Sequence, residues 1–349
     1  MPDSGKREAM FYKPLERSLV KCNLCHQQCT IADGKRGICG VRVNQAGKLY
    51  TLVYGKAAAT GLDPVEKKPL YHFYPGSSTY SISTVGCNFR CRNCQNYEIS
   101  QMPKDYGPVV GEPLPPEEVV SAAKRYRCKS IAYTYTEPTI FFEYAYETAR
   151  LASKEGIKNI FVTNGYITEE ALRTIKPHLD AANIDLKSLS DEFYRENCGA
   201  RLQPVLDNIK LHKELGIWVE ITTLIIPTLN DSEEELRSIA KFIKSVGEEI
   251  PWHVSQFHPM YKLLDLPRTP VSTLRMARKV GVEEGLRYVY EGNVPGEGGE
   301  NTYCHNCNER LIHRYGYEIL ENNIKDSKCP KCGATIDGVG MAQSMLKLL

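Results

Sequence analysis

The sequence predicts an α/β protein built on a parallel sheet or barrel, with a small cysteine-rich module at each end of the chain. Patterns typical of strands and helices alternate from about residue 81 to residue 292, which indicates parallel strands joined by right-handed crossovers. Eleven of the 13 cysteines fall into three clusters, one before this region, one at its start and one after it. We therefore predict three units, residues 1–78, 79–292 and 293–349.

The strand and helix patterns follow one another in a regular order. Apolar residues alternate on both sides of residues 44–47, which predicts a β-hairpin over residues 40–54 ahead of the sheet. The predicted strands of the sheet cover residues 80–85, 130–134, 159–163, 181–186, 218–226, 253–257 and 287–290. The predicted helices between them cover residues 116–126, 140–155, 169–176, 204–215, 232–246 and 271–284.

The composition is that of an ordinary globular protein. The 349 residues carry 44 Lys and Arg against 42 Asp and Glu, so that the net charge is +2. This balance gives no overall attraction to nucleic acid or acidic membranes, although a local basic patch leaves nucleic acid open as a partner. The first 19 residues carry charges and no apolar core, and the most apolar stretch, residues 217–227, is short. We therefore expect a cytoplasmic protein without a membrane span, whose clustered cysteines are metal ligands.

The middle cysteine cluster carries the strongest chemical signal. Cys87, Cys91 and Cys94 have the spacing C-x3-C-x2-C and directly follow the first predicted strand of the sheet. A [4Fe–4S] cluster needs four ligands, so three thiolates leave one iron free to bind another molecule. Loops at the carboxyl ends of parallel strands are where such folds place their chemistry. We therefore interpret this loop as the catalytic centre, and the alternative is a zinc site completed by a distant fourth ligand.

The other two clusters have four cysteines each, which is typical of closed, structural metal sites. The C-terminal set has zinc-ribbon spacing, and we predict zinc there with iron as the alternative. At the N-terminal set, zinc and a second iron–sulfur cluster both suit the four thiolates, with zinc preferred. The predicted ligands are Cys304, Cys307, Cys329 and Cys332 in the C-terminal set, and Cys22, Cys25, Cys29 and Cys39 in the N-terminal set.

The motif around the middle cluster resembles a known family. The run Cys-Asn-Phe-Arg-Cys-Arg-Asn-Cys-Gln-Asn, residues 87–96, resembles the cluster loop of radical S-adenosylmethionine (SAM) enzymes. Residues 63–77 are similar to the corresponding part of relatives of pyruvate formate-lyase activating enzyme, and in particular of the radical SAM member of the AmmeMemoRadiSam system. The resemblance implies a partial (β/α)6 barrel of the TIM type, a [4Fe–4S] cluster and bound SAM.

The resemblance also implies an activity. In this family, one-electron reduction cleaves SAM to methionine and a 5′-deoxyadenosyl radical, which abstracts hydrogen from a substrate. The substrate is open: the activating enzymes suggest a partner protein, whereas the AmmeMemoRadiSam system suggests an undefined reaction alongside Memo-like and AMMECR-like proteins. Flavodoxin or ferredoxin is the implied electron donor. The oligomeric state and the fate of SAM, consumed or regenerated, are not fixed by the sequence.

Further site residues carry over from the family by position, each at or after the end of a predicted strand. Glu137 matches the element that binds the amino group of SAM, although Tyr135 and Thr136 replace its glycines. The next two strand ends resemble positions that contact the ribose and carboxylate of SAM, and a histidine after the sixth strand matches one beside SAM. These residues are Thr163, Asn164, Asp185, Lys187 and His258.

Some positions depart from the family or stay ambiguous. The residue before the third cysteine is usually aromatic and packs on adenine, but here it is Asn93, and Phe89 is a candidate substitute. Residues 225–227 are interpreted as an apolar wall for adenine or as plain core. Outside the clusters, Cys128 is interpreted as core or surface filler, and Cys198 as an inert buried residue or a hydrogen donor to the substrate.

Two other classes of protein compete with the radical SAM interpretation. A multi-zinc nucleic-acid-binding or scaffold protein without radical chemistry would use all three cysteine clusters as structural sites. An electron-transfer iron–sulfur protein would need fully ligated clusters and would gain nothing from an open iron. The three-thiolate loop at a strand end favours the radical SAM enzyme over both.

Overall fold

The computed structural model describes residues 6–105 and 107–341. Its helices are α1 (Tyr97–Ser100), α2 (Met102–Asp105), α3 (Pro116–Arg125), α4 (Phe142–Lys154), α5 (Glu169–Ile175), α6 (Asp191–Phe193), α7 (Gln203–Glu214), α8 (Glu233–Val246) and α9 (Val271–Glu283). Its strands are β1 (Arg7–Glu8), β2 (Tyr12–Pro14), β3 (Val20–Cys22), β4 (Thr30–Ile31), β5 (Arg42–Gln45), β6 (Lys48–Thr51), β7 (Lys56–Ala57), β8 (Ala59–Pro64), β9 (Ser78–Ser83), β10 (Glu112–Pro113), β11 (Ser130–Tyr133), β12 (Lys158–Thr163), β13 (Ala181–Asp185), β14 (Trp218–Ile225), β15 (Trp252–Gln256), β16 (Val289–Gly292), β17 (Thr302–Tyr303), β18 (Arg310–Tyr315) and β19 (Glu318–Asn322).

The largest element of the fold is an eight-stranded sheet with the strand order β16-β15-β14-β13-β12-β11-β9-β8. The seven strands from β9 to β16 in this sheet run parallel and in chain order, and β8 adds antiparallel to β9 at one edge. Helices α3, α4, α5, α7, α8 and α9 connect successive parallel strands. The predicted α/β architecture is confirmed, and the seven predicted strands and six predicted helices lie within about two residues of the observed ones.

Helix α8 shows how the local sequence sets such a crossover. The Ser232 hydroxyl accepts a hydrogen bond from the backbone N–H of Glu235 (3.2 Å), which satisfies one of the free amides of the first turn. Leu236, Ile239 and Ile243 recur at helical spacing and are buried, so that one face of α8 packs into the core. No helix in the described part of the chain combines the length and the apolar composition needed to cross a membrane.

Side chains alternate between the two faces of the sheet along each strand, and one face becomes its interior. On β13, Ala181, Asn183 and Asp185 share this inner face, and on β14 Glu220 and Thr222 do so. The residues nearer the amino ends of the strands are covered by chain, whereas those nearer the carboxyl ends line a cavity. The inner face is therefore divided into a filled half and an open half.

The filled half is occupied by residues 65–76, which we call the interior segment. Its apolar side chains Val65, Leu70 and Phe73 are buried in one cluster with residues of β11, β12 and β13. Its backbone is held by Glu220 of β14, whose carboxylate accepts hydrogen bonds from the N–H groups of Tyr71 (2.9 Å) and His72 (2.8 Å). A stretch of chain thus takes the place that layers of side chains take inside a closed parallel barrel.

The regions before and after the sheet form small separate sheets. Strands β5 and β6 pair around Ala46 and Gly47, whose φ angles of +50° and +82° suit a tight hairpin turn, so the predicted hairpin is confirmed. Strands β17, β18 and β19 form a three-stranded sheet in the C-terminal region. Strand β8 belongs to the main sheet although it lies within residues 1–78, and the three predicted domain ranges stay predictions.

Candidate active site

A cavity of about 490 Å³ lies at the carboxyl ends of the parallel strands. Its wall includes Asn183 and Thr222 of the inner face, which hydrogen-bond each other at 2.9 Å, and Pro69 of the interior segment. Eight of the nine residues predicted to serve the cluster and SAM line this one cavity: Cys87, Cys91, Cys94, Glu137, Thr163, Asn164, Asp185 and Lys187. The alternation of the strands and their common direction bring these residues together from four different loops.

The loop that carries the three cysteines, residues 84–96, leaves β9 in a tight turn. Gly86 has a φ of +101°, and a Cβ atom at this position would lie 2.8 Å from the backbone oxygen of Cys39. Only glycine allows both this conformation and this close approach. The N–H of Gly86 also donates to the carbonyl of Ile99 in α1 (2.9 Å). The cysteine loop is thereby fixed between the N-terminal region and α1.

The three cysteines of this loop are partly buried, and their sulfurs stand apart. The Cys87 sulfur accepts a hydrogen bond from the N–H of Phe89 (3.4 Å), and the Cys94 sulfur lies 3.1 Å from the Ser100 hydroxyl. The three sulfurs are not within 4.8 Å of one another, the spacing that a single ion would need. A [4Fe–4S] cluster binds each thiolate at a different corner, so the wider spacing fits it. Burial raises the pKa of Cys87, so that iron binding must displace a thiol proton.

Glu137 is buried at the junction of two strand ends. One carboxylate oxygen accepts hydrogen bonds from Thr139 N–H (3.0 Å), Thr139 Oγ1 (2.5 Å) and Thr163 Oγ1 (2.8 Å). The other oxygen, Oε2, accepts from the N–H of Asn164 (2.8 Å). Burial raises the pKa of Glu137, and these hydrogen bonds oppose the rise. The side chain therefore ties the segment after β11 to the end of β12 and keeps lone-pair capacity on Oε2 towards the cavity.

Asp185 and Lys187 form an ion pair on the opposite wall of the cavity. The Lys187 ammonium donates to Asp185 Oδ2 at 2.8 Å. Burial lowers the pKa of Lys187, but the Asp185 carboxylate and the neighbouring Cys91 and Cys198 sulfurs raise it further, and the net value lies well above the ordinary one. Lys187 is therefore a permanent cation beside the cysteine loop, with donors left for an anionic group.

Two further residues that line this cavity, Lys68 and Tyr135, have no role predicted from the sequence, and both bind Asp63. Lys68 is almost fully buried, donates to Asp63 Oδ2 at 2.6 Å, and lies 4.5 Å from the centre of the Tyr135 ring. The Tyr135 hydroxyl donates to the same Asp63 oxygen (2.5 Å). Burial lowers the pKa of Lys68 to about 8, although Asp63 opposes this shift. The signal in the sequence is a pair of adjacent lysines within the interior segment, of which Lys67 stays half exposed.

Some predicted positions do not reach the cavity. His258 is partly buried and does not line it, although its loop touches the cysteine loop through a hydrogen bond from Lys262 N–H to the Arg92 carbonyl (2.9 Å). Ile225 and Ile226 are fully buried and do not line it either, which matches plain core. The predicted role of His258 beside SAM stays a prediction.

Asn93 and Phe89 both line the cavity. The Asn93 side-chain oxygen accepts a hydrogen bond from Asn197 (2.9 Å), which fixes it in the loop. Phe89 is buried and packs edge-on against Tyr166, with 5.0 Å between ring centres. Phe89 therefore presents an aromatic ring to the cavity, whereas Asn93 presents a side-chain amide.

Of the two cysteines outside the clusters, Cys198 lies close to the site. It is fully buried, its sulfur accepts a hydrogen bond from the Asn197 side-chain amide (3.9 Å), and its carbonyl accepts from the N–H of Arg90 (2.9 Å). Cys128 is buried away from the cavity, against the core. Cys198 thus holds the cysteine loop through its hydrogen bond with Arg90, and it does not line the cavity itself.

The C-terminal cysteine set has the geometry of a closed metal site. Its four sulfurs all lie within 4.8 Å of one another, and both measured pairs, Cys304 to Cys332 and Cys307 to Cys329, are 3.6 Å apart. Four thiolates placed tetrahedrally about 2.3 Å from one zinc ion would be separated by about 3.8 Å. Within residues 6–105 and 107–341, no other group of three or more ligand atoms is this compact.

The N-terminal cysteine set is more open than the C-terminal one. Cys22, Cys25, Cys29 and Cys39 line one small pocket together with Arg42, and Asn88 of the cysteine loop lines the same pocket. Their sulfurs do not meet the 4.8 Å spacing. Burial raises the pKa of Cys25 and raises that of Cys39 to about 11. The two flanking sets therefore differ in geometry although both have four cysteines.

Comparison with known proteins identifies relatives over almost the whole chain. The sequence model of the radical SAM superfamily matches residues 81–243. An uncharacterized protein of Methanocaldococcus jannaschii, MJ0808, is 49% identical over 334 residues, which is 95% of this chain and 99% of that protein. The pyruvate formate-lyase-activating enzyme of Clostridium pasteurianum is 25% identical over 218 residues, covering 59% of this chain and 89% of the enzyme.

A likeness to solved structures supports the same fold. The crystal structure of a radical SAM methyltransferase from Sphaerobacter thermophilus aligns with a TM-score of 0.50 and 15% sequence identity. The alignment covers 68% of this chain and 71% of the methyltransferase. The cysteine loop follows the strand with which the matched residues begin, and most of the residues that line the cavity belong to the matched region.

Proposed function

This chain belongs to the radical SAM superfamily and is related to pyruvate formate-lyase activating enzymes, and we propose that it is an enzyme that reductively cleaves SAM. The observation that carries the proposal is the cavity of about 490 Å³, where three cysteines meet the buried Glu137 and the Asp185–Lys187 pair. A thiolate set that lacks one ligand and faces a polar cavity suits a metal site with an open position.

The donor set fits a [4Fe–4S] cluster bound by Cys87, Cys91 and Cys94. The three sulfurs are too far apart for one ion, and thiolates are the usual ligands of such clusters. When bound, this cluster supplies one electron to SAM, giving methionine and a 5′-deoxyadenosyl radical that abstracts hydrogen. Lys187 beside Cys91 contributes positive charge, which stabilises an anionic thiolate–iron centre.

The remaining residues of the cavity are suited to orient SAM. Glu137 Oε2 has one hydrogen-bond donor and can accept the SAM ammonium, while Thr163 and Asn164 hold the carboxylate in place. Lys187 is suited to the carboxylate of SAM, and Asp185 to a ribose hydroxyl. The family resemblance supports His258 as a residue beside SAM, and we propose Phe89, which lines the cavity, as the ring that contacts adenine.

We extend the proposal to the fold, the C-terminal metal, the cellular location, the substrate and the electron donor. We propose that the main sheet is a partial (β/α)6 barrel, that the compact C-terminal set binds zinc, and that the protein is cytoplasmic. The substrate is a protein or another macromolecule, because the activating enzymes to which the chain is related act on partner proteins. Radical SAM activating enzymes typically take electrons from flavodoxin or ferredoxin, and we propose such a donor here.

We also propose membership of the AmmeMemoRadiSam system, with Memo-like and AMMECR-like proteins as partners. The support is residues 63–77, which contain the whole interior segment and, within it, the buried Lys68 at the cavity. Co-purification of the chain with the Memo-like protein of the same organism would test this membership. Separate elution of the two proteins at micromolar concentration would contradict it.

The test of the proposed activity is SAM cleavage. We expect the chain, reconstituted anaerobically with iron and sulfide and reduced with dithionite, to convert SAM to 5′-deoxyadenosine. Cys91→Ala should abolish the product, because it removes one of the three thiolates, whereas the matched variant Cys128→Ala should retain it. No 5′-deoxyadenosine from the wild type, or an undiminished yield from Cys91→Ala, would contradict the proposal. Deuterium transfer from labelled candidates into 5′-deoxyadenosine would then identify the substrate.

The alternative, a multi-zinc nucleic-acid-binding or scaffold protein, is not favoured. The relatives are radical SAM proteins, and the compact spacing of a single-ion site is found at one of the three cysteine sets in the described residues.

A further inference from the structure

The N-terminal cysteine set resembles the cysteine loop in geometry more than it resembles the C-terminal set. A single tetrahedral ion draws four sulfurs to about 3.8 Å from one another, and the C-terminal sulfurs stand at 3.6 Å. No three sulfurs of the N-terminal set lie within 4.8 Å of one another, although all four cysteines line one pocket. Thiolates at the corners of an iron–sulfur cluster are farther apart, because each binds a different iron.

Two buried donors without partners also face this pocket. Arg42 and Asn88 are 2% and 1% exposed, and both line the pocket. The Arg42 Nε–H and the Asn88 side-chain amide nitrogen have no hydrogen-bond partner in the described structure. Unsatisfied buried donors cost free energy unless a ligand accepts from them. Sulfide and thiolate sulfurs of a cluster would be the acceptors that this pocket lacks.

The hydrogen bonds of the two terminal nitrogens of Arg42 show why its Nε–H stays available to a ligand. Its two terminal nitrogens bind the Glu143 carboxylate (3.0 and 3.4 Å) and the Met10 carbonyl (2.6 Å), and this pairing neutralises the guanidinium charge. The Nε–H alone is left for the pocket. A hydrogen-bond donor of this kind stabilises the negative charge of a reduced iron–sulfur cluster.

The pocket directly adjoins the cysteine loop of the active site. Asn88 follows Cys87 in the chain, lines the N-terminal pocket, and accepts a hydrogen bond on its side-chain oxygen from Asn164 (2.8 Å). Gln27, two residues after Cys25, donates to the Asn88 carbonyl (2.9 Å). The close approach of Gly86 to the Cys39 carbonyl adds a second contact between the two cysteine sets.

We propose that Cys22, Cys25, Cys29 and Cys39 bind a second [4Fe–4S] cluster, which relays single electrons to the SAM-cleaving centre. This rests on the proposed function for its last step. A one-electron protein donor such as flavodoxin or ferredoxin reduces the N-terminal cluster by one electron, and the cluster returns to its oxidised state when that electron passes to the active site. No bond is made or broken in the relay. One route in the structure runs from Cys25 to Gln27, across the hydrogen bond from Gln27 to the Asn88 carbonyl, and on to Cys87. Cys29, which is only partly buried, offers the side for electron entry.

Metal stoichiometry tests the second cluster without any SAM chemistry. We expect the reconstituted wild type to contain about eight iron, eight sulfide and one zinc per chain, the zinc being at the C-terminal set. The variant Cys87→Ala/Cys91→Ala/Cys94→Ala should keep about four iron and four sulfide, and after dithionite reduction its electron paramagnetic resonance signal should not respond to SAM. Cys128→Ala should match the wild type. About four iron and two zinc in the wild type, or loss of all iron from the triple variant, would overturn the second cluster.

The relay is tested by comparing two electron donors in one variant. In Cys25→Ser/Cys39→Ser, we expect 5′-deoxyadenosine formation with flavodoxin to fall at least tenfold, while formation with dithionite, which reaches the active site directly, falls less than threefold. Equal losses with both donors, or no loss with either, would overturn the relay. If the wild type cleaves no SAM but the triple variant keeps four iron, the proposed function fails and the second cluster stands.

Discussion

The two halves of the inner face of the sheet are built from the same strands and differ in almost every other respect. At the carboxyl ends, Asn183, Asp185 and Thr222 line a cavity together with the cysteine loop. At the amino ends, Glu220 is covered by the interior segment, and its carboxylate accepts hydrogen bonds from Tyr71, His72, Trp218 and His253. Glu220, whose carboxylate accepts four hydrogen bonds, and Thr222, which lines the cavity, are only two positions apart on β14.

This difference shows how the fold separates stability from chemistry. A buried charge is tolerated where every lone pair has a donor, as at Glu220, and such a group contributes to stability. Groups that must bind a ligand keep part of their hydrogen-bonding capacity free, as Glu137 and Lys187 do. Substitutions at the two halves should therefore affect different measurements.

The largest effect is expected from Glu220→Leu at the filled half. Removing the carboxylate leaves four buried donors unpaired, which should lower the free energy of unfolding by about 3–5 kcal/mol. Urea unfolding followed by circular dichroism measures this, with the exposed Glu234→Gln as the matched control within about 0.5 kcal/mol. If Glu220→Leu were as stable as that control, the filled half would not be a stabilising region.

A second prediction concerns acid sensitivity at the same half. Burial lowers the pKa of His72 to about 4, while its nitrogens contact the Asp337 carbonyl (2.6 Å) and the Tyr290 hydroxyl (2.5 Å). Between about pH 6.5 and pH 4 the unfolded chain binds a proton at this histidine and the folded chain does not, so stability falls as pH falls. The loss should reach about 3 kcal/mol by pH 4.

The measurement is the unfolding free energy as a function of pH for the wild type and for His72→Gln. The variant should be less stable at pH 7 but should lose less stability on acidification. Part of the dependence will persist, because burial also lowers the pKa of His212 to about 4. If the two proteins lost the same stability between pH 6.5 and pH 4, His72 would not be the source of this acid sensitivity.

At the open half, Lys187→Met should impair SAM binding with little effect on folding. The substitution removes the cation proposed for the SAM carboxylate and keeps much of the apolar side-chain volume, so we expect the KM for SAM to rise about tenfold to a hundredfold. Initial rates of 5′-deoxyadenosine formation measure this, and the exposed Lys154→Met is the control. A KM within twofold of the wild type would remove Lys187 from the binding site.

The smallest effect is expected at His258, where the structure and the family pattern lead to different expectations for the KM for SAM. His258 matches a histidine beside SAM in the resembling enzymes, yet it does not line the cavity. From the structure alone we expect His258→Ala to change the KM for SAM by less than about twofold, far below the change at Lys187. A tenfold rise would show that His258 contacts SAM, as the family pattern implies.

Local patterns were sufficient to predict most of the main sheet. The alternation of strand and helix patterns that predicted β12 and β13 also placed Asp185 and the end of β12 on one rim, and the structure brings these to one cavity. The cysteine loop could be assigned because its spacing and its place after a strand are both local features. The roles of the site residues in SAM binding stay predictions.

What the sequence analysis missed depends on contacts that are distant in the chain. Strand β8 contains Gly61 and ends in Pro64, residues with low strand propensity, and only pairing with β9 makes it a strand. The interior segment has no periodic pattern, because Glu220, 148 residues beyond His72, decides its path. Lys68 has no local signal that sets it apart from its neighbour Lys67, and its buried position is fixed by contacts with Asp63 and Tyr135.

The interior segment also constrains when the fold can be completed during synthesis. His72 contacts the Asp337 carbonyl across 265 positions of sequence, Phe73 forms a bridge with Val339, and Arg314 donates to the Tyr71 carbonyl (3.0 Å). An emerging chain has made the interior segment before any of these partners exists. Its apolar side chains must therefore stay exposed or loosely covered until residues 314–339 have left the ribosome. We expect the interior segment to reach its final packing only after residue 339 has emerged, and truncation near residue 335 should leave this segment open to chaperones and proteases.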